Sequence, residues 1–240
     1  WLFQPAKTGH RAGMDAMILA AAVPPAFSGA LADFGSGAGA AGLAVASRCP
    51  QARVTLVENA PEMTMFARQT LALTENAHLA PRLSLREADV ALTGKSRVTA
   101  GLADRSYDFV IMNPPFNSAR DRTTPNALKQ AAHVMTDGLL EAWIRSAAAV
   151  TKPRGGLAVI ARPQAIGEIL AACDGRFGAL RIMPIHPRLD QQAIRIVVTG
   201  IKGSRGALSL EPPLVLHETG SNRFSPQADA LINGQTGLFG

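Results

Sequence analysis

The chain of 240 residues is poor in aromatics, with nine Phe, two Trp and one Tyr, and poorer still in cysteine. Its two cysteines, Cys49 and Cys173, lie far apart with no CxxC spacing, which excludes a disulfide framework and a cysteine-based zinc site. A reducing cytoplasm is the expected compartment. Long apolar runs are also lacking: Met17 to Val23 and Gly155 to Ala161 fall well short of the roughly 18 to 20 residues that span a bilayer. A soluble protein with no membrane partner is therefore expected. The five histidines, His10, His78, His133, His186 and His217, show no HxxxH or HxE spacing, so no metal site is expected. No Gly-x-Ser-x-Gly elbow is present, which removes the support for hydrolase chemistry. The chain opens at Trp1 with no initiator methionine and no signal-peptide pattern, so some N-terminal residues are expected to precede it.

What is present is enough to bury one core. Hydrophobic residues make up 47% and charged residues 18%, which excludes disorder, collagen and coiled coil. The net charge of +6 permits a polyanionic partner without proving one. Short runs rich in Val, Ile and Leu alternate with helical patterns, the signature of βαβ units around a parallel sheet. The spacing predicts strands at Leu31–Phe34, Arg53–Val57, Leu83–Arg86, Tyr107–Met112 and Leu157–Ala161. Helices are expected at Asp15–Val23, Ala40–Arg48, Pro61–Asn76, Gly138–Thr151 and Pro163–Cys173. Ala179–Ile185 and Ala193–Ile201 have only a turn between them and read as an antiparallel hairpin. Leu208–Leu216, broken by Pro212 and Pro213, reads as an edge strand or arm. Val90–Ser106 and Asn117–Asp137 read as loops.

Asp33-Phe34-Gly35-Ser36-Gly37-Ala38-Gly39 follows the first strand and opens a helix, where a glycine loop lets the backbone pass close to a nucleotide-like ligand. A tight strand-to-helix turn is the alternative. No basic residue lies between Asp33 and Val45, which argues against a triphosphate, and Ala40 stands where a dinucleotide fingerprint needs a third spaced glycine. Glu58 closes the second strand and Asp89 follows the third, so three strand ends are acidic in a basic chain. Such a crevice suits a ligand with a ribose, an ammonium and a sulfonium and no phosphate, a description that fits S-adenosylmethionine.

The fourth strand runs directly into Asn113-Pro114-Pro115-Phe116. Two successive prolines stiffen that turn and fix Asn113 and the Pro114 carbonyl. An exocyclic amine is a poor nucleophile because its lone pair is delocalised into the ring. Acceptors for both of its N–H groups assist rehybridisation, and Asn113 Oδ1 with the Pro114 carbonyl supply them. Phe116 would stack on a base, a contact worth about 1–3 kcal/mol. A proline-rich turn with a buried Phe is the competing reading.

On these motifs, with Gly9 to Ala16 and Ala193-Ile194-Arg195 leading to Lys202-Gly203, the chain resembles the Rossmann-like S-adenosylmethionine-dependent methyltransferases of the small-domain NPPF/Y group. Within that group it is similar to the bacterial tRNA adenine-N6-methyltransferases acting on adenine 37 of valine tRNA. The resemblance implies one α/β domain with a mixed seven-stranded sheet, helices on both faces and a C-terminal antiparallel hairpin. Residues 1–28 would form a helical lid segment, 29–206 the Rossmann-like core and 207–240 an extension. It implies that Gly35, Gly37 and Gly39 pass the cofactor, that Asp33 faces its amino-acid moiety, Glu58 its ribose and Asp89 its adenine, and that Asn113, Pro114, Pro115 and Phe116 hold the target base. His10 to Asp15 would lie across the cofactor pocket, with Met14 where the family usually has Thr. Arg120, Arg122, Lys129, Arg188, Lys202 and Arg205 are candidates for holding RNA phosphates, tRNA being the expected partner. Asn117 stands where ribosomal guanine-N2 relatives usually have His. Transfer to a protein glutamine, to ribosomal guanine N2 or to a small molecule stays open, as does a non-catalytic cofactor- or RNA-binding module.

Overall fold

The computed structural model describes residues 1–5, 13–115, 117–118, 134–135 and 138–239. Five parallel strands form the centre of one sheet: β1 (Gly29–Phe34), β2 (Ala52–Glu58), β3 (Leu83–Glu87), β4 (Tyr107–Met112) and β5 (Thr151–Ala161). Then β6 (Phe177–His186) and β7 (Arg195–Lys202) follow as the expected hairpin, and β7 inserts antiparallel between β5 and β6. The spatial order from one edge is β6-β7-β5-β4-β1-β2-β3. Two short strands, β8 (Ser209–Leu210) and β9 (Leu214–Val215), both run parallel to β6 and bring the sheet to nine strands, two more than expected. The break between them falls at Pro212 and Pro213, which cannot donate to a ladder.

The helices cover both faces. On one lie α1 (Met14–Ala21), α2 (Ala40–Arg48), α3 (Pro61–Ala72) and α7 (Pro226–Ile232), packed on a core that includes Leu31, Leu56, Ile111 and Ile160. On the other lie α5 (Leu139–Val150) and α6 (Ile166–Cys173), over Phe34, Val110, Met112 and Leu157. These central strands are buried on both faces, which is why they read as continuous apolar runs rather than alternating ones.

Three local expectations are corrected. The segment Val90–Ser106 contains a short helix, α4 (Gly94–Thr99), whose Arg97 is buried and donates to the Leu102 carbonyl and to Asp104. The helix expected to reach Asn76 ends at Ala72, because Asn76 turns inward to donate to the Thr70 and Trp1 carbonyls. In the segment Asn117–Asp137, residues 117–118 pair in parallel with 134–135, and residues 119–133 and 136–137 lie outside the described residues. No helix among the described residues is long and apolar enough to cross a membrane.

Register decides where the site falls. Phe34 pairs with both Val57 and Met112, and Met112 with Val159, so four parallel strands end level with one another. Gly35, Glu58 and Asn113 therefore leave the sheet at one edge, the carboxyl edge, where open α/β sheets bind ligands. Leu56, fully buried in β2, packs against both Gly39 and Gly42 beneath that edge. Leu56→Ala is expected to cost about 2–5 kcal/mol of stability, read as a lower denaturant midpoint at unchanged slope.

Candidate active site at the carboxyl edge

The glycine loop is shaped by backbone that only glycine adopts freely. Gly35, Gly37 and Gly39 have φ of 66°, 56° and 95°, in the left-handed region where a Cβ is costly. The amides of Gly35 and Ser36 both donate to the Val57 carbonyl, at 2.9 and 3.1 Å, which ties the loop to β2. Gly35 has no space for a side chain: a Cβ there would collide with the indole of Trp143 from α5. Gly37 is more open, and a Cβ there would meet only the Met63 methyl, at 3.4 Å.

Two carboxylates brace this loop from below. Glu58 is buried, and its Oε2 accepts from the Gly37 amide at 2.8 Å while Oε1 accepts from the Asn59 and Ala60 amides at 2.9 Å each. The side chain expected at a ribose thus also shapes the turn into α3. Asp33 Oδ2 accepts from the Gly42 amide at 2.8 Å, one of the four donors that α2 leaves unpaired in its first turn. Burial pushes the Asp33 carboxyl up to about 7, opposed by the Gly42 bond and reinforced by the Glu58 charge. Asp89 is exposed, and its Oδ1 accepts from the Ala91 amide at 2.8 Å in a local turn.

Asn113 leaves β4 next to the glycine loop, half-buried, followed by the buried Pro114 and half-buried Pro115. Its Oδ1 is buried and has no hydrogen-bond partner among the described residues. Buried acceptors are nearly always paired, so an unpaired one here is a candidate contact for a ligand's donor. The Ser36 hydroxyl in the glycine loop is in the same position. Phe116, Arg120, Arg122 and Lys129 lie outside the described residues, as do residues 6–12 of the expected lid segment.

Two of the expected phosphate-binding cations are engaged within the chain. Arg188 donates to the Glu218 and Ser221 carbonyls and to Asn222 Oδ1, so its guanidinium is spent on holding the segment after β9. Lys202 ends the antiparallel β7 and so sits at the opposite edge of the sheet from Asn113, donating to the Thr151 carbonyl. Two contributors were missed in the sequence. Trp143 under Gly35 lies about 110 residues away in the chain and carries no motif of its own. Asp15 in α1 pairs with Arg195 at the start of β7, 2.8 Å apart, joining two segments that the resemblance singled out separately.

Residues 11–172 match the family described as the methyltransferase small domain. The chain belongs to that family. A solved protein from Agrobacterium tumefaciens, described as a predicted O-methyltransferase, is 46% identical over 93% of this chain and 97% of its own, with a TM-score of 0.81. At 13% identity and a TM-score of 0.55, a tRNA methyltransferase of Aquifex aeolicus shares the fold over 82% of this chain and 72% of its own. So does a geranyl diphosphate C-methyltransferase of Streptomyces coelicolor, solved with S-adenosyl-L-homocysteine, at 10% identity and a TM-score of 0.52, over 79% and 75%. No curated protein matches the sequence. The methyl donor of this methyltransferase is S-adenosylmethionine. The carboxyl edge fits it: three left-handed glycines leave the backbone bare, the loop itself carries no cation, and two buried polar atoms beside it have no partner among the described residues. Among the described residues no cluster of three or more His, Cys, Asp or Glu is placed to hold a metal.

Asp33 sets a pH dependence. Its folded value lies above its unfolded one, so its contribution to stability is fully present below about pH 4 and is lost as pH rises through 7. Asp33→Asn keeps an acceptor for Gly42 and removes the charge. Urea denaturation at pH 5 and pH 8 should show wild type losing stability between them, by up to about 3 kcal/mol, and the variant losing far less.

Proposed function

We propose that this methyltransferase transfers a methyl group to an exocyclic amino group, N6 of an adenine in tRNA. The observation that carries the reading is the buried, unpartnered Asn113 Oδ1, level with the glycine loop at the end of the adjoining strand. When bound, S-adenosylmethionine supplies an electrophilic methyl group on a sulfonium. Asn113 Oδ1 accepts one N–H of the amine and the Pro114 carbonyl the other, which draws the nitrogen lone pair out of conjugation. The two prolines hold both acceptors in place without any charged base. Phe116 takes the face of the adenine in this reading, by its position in the tetrapeptide. Gly35, Gly37 and Gly39 would pass the cofactor, and the Asp33 carboxyl would face its amino-acid moiety, Glu58 its ribose and Asp89 its adenine.

The RNA part of the reading is supported by the net charge of +6 and by the resemblance to tRNA adenine-N6-methyltransferases. Two buried free thiols, Cys49 and Cys173, are consistent with the reducing cytoplasm where such a substrate is found. One observation favours a second reading: the 46% identical protein is described as a predicted O-methyltransferase. A hydroxyl acceptor brings a single O–H and would leave one of the two acceptors unused.

Radiolabelled S-adenosylmethionine offered with unmodified tRNA, ribosomal RNA and a protein extract separates these readings once the product is digested. N6-methyladenosine from tRNA is the expected product. A ribose or small-molecule methyl ether would move the chemistry to oxygen, and nuclease-resistant, protease-sensitive label would move it to glutamine. Asn113→Ala is expected to lower kcat by about 10²–10³, with the dissociation constant for S-adenosylmethionine changed only a few-fold in equilibrium dialysis.

A further inference from the structure

The edge of the sheet opposite the active site carries a run of basic side chains. Four adjoining strands begin or end there, in the order β4, β5, β7, β6. Arg105 precedes β4, Arg154 lies in an irregular turn at the start of β5, and Lys202 and Arg205 close and follow β7. Arg105, Arg154 and Arg205 are exposed, and none has an ion-pair partner among the described residues. The acids nearby are engaged elsewhere: Asp108 with Lys152, Glu141 with Arg145 and Arg176, and Asp104 with Arg97. Asp104 and Asp174 are themselves exposed. Burial and the neighbouring Arg105 guanidinium hold the Lys202 ammonium below its ordinary value against the opposing charge of Asp104, as expected where like charges are pressed together. Adjacent strands are about 4.8 Å apart, so the run, on three of them, covers roughly 10 Å.

Backbone geometry makes these positions unusual. Arg105 and Arg154 have φ of 51° and 67°, where glycine or asparagine is favoured and an arginine is costly. The carboxyl edge has the opposite character, with Asp33, Glu58, Glu62, Glu87 and Asp89 around it. Among the described residues, charge complementarity favours a polyanion at the basic edge.

We infer that Arg105, Arg154 and Arg205 form a phosphate-binding stripe that holds the RNA backbone at a distance from the methylated base. The inference rests on the RNA reading above and adds a second contact surface to it. β4 has six residues, so the stripe lies on the order of 20 Å from Asn113. Only an RNA long enough to reach around the protein engages both, which makes the stripe a selector for a folded RNA over a short oligonucleotide.

The test is a triple variant, Arg105→Asn, Arg154→Asn and Arg205→Gln, in which asparagine suits the left-handed positions and preserves folding. A control carries Arg68→Gln and Arg145→Gln, both exposed and outside the stripe. With unmodified full-length tRNA, the triple variant should bind at least about tenfold more weakly at roughly 150 mM salt. Its plot of log affinity against log salt should be shallower by about 2 to 3. S-adenosylmethionine binding, the thermal midpoint and methylation of a short stem-loop should match wild type. If wild type methylates tRNA and the triple variant keeps its affinity and salt slope, the stripe is overturned and the RNA reading stands. If wild type neither binds nor methylates RNA at any salt, the RNA reading fails and the stripe with it. Binding to phosphatidylserine vesicles but not to RNA would also overturn it.

Discussion

Glu58 holds the candidate site together. One carboxylate, at the last residue of β2, accepts from Gly37 in the loop after β1 and from Asn59 and Ala60 at the entry to α3. Charge-assisted bonds of this kind are about twice as strong as neutral ones, and burial protects them from competition with water. Gly37 has no side chain with which to fix its own position, so the loop depends on a partner outside it. Asp33 performs the corresponding task one strand away, joining the end of β1 to the first turn of α2 through Gly42. The acids at the strand ends are therefore built into the frame of the pocket as well as into its electrostatics. A ligand meets a loop whose backbone amides are already committed, and the fixed arrangement spares it the cost of ordering them.

The sheet was legible because its central strands are short apolar runs separated by helices with proper starts. Pro61 and Pro163 open their helices, and Gly39 leaves β1 in a left-handed turn before α2. The hairpin of β6 and β7 could be read from the absence of a helical stretch between two apolar runs. Its insertion between β5 and β6 could not, because strand order depends on which edge each strand meets and not on its own composition. α4 was hidden for a different reason: its six residues begin at Gly94 and include few apolar positions, and the buried Arg97 breaks any periodic pattern.

The site divides along the same line. Residues whose chemistry is local, such as the glycine loop and the Asn-Pro-Pro turn, showed themselves by spacing. Those whose role comes from packing across the fold did not. Trp143 limits Gly35 from a helix on the far side of the sheet, and Asp15 meets Arg195 across 180 positions of chain. Charged residues were the hardest to assign, since Arg188 and Lys202 look alike in sequence to any exposed cation. One is tied to a neighbouring loop and the other belongs to the edge away from the pocket.

The use of an amide at position 113 follows from its surroundings. Asp33 already sits in the neighbouring strand, two residues short of the same level, and its carboxyl is held near neutrality by burial and by Glu58. A third carboxylate here would add a like charge beside Asp33 and Glu58. Asparagine accepts a hydrogen bond at any pH without adding charge, and its position before Pro114 restricts the backbone that aims it. In the proposed reading, the positive charge that develops on an amine as it takes a methyl group would meet the carboxylates of the pocket at a distance, rather than a base in contact. On that reading, chemistry at this edge rests on the placement of neutral acceptors in a negative field, an arrangement that suits both a cationic cofactor and a weakly basic amine.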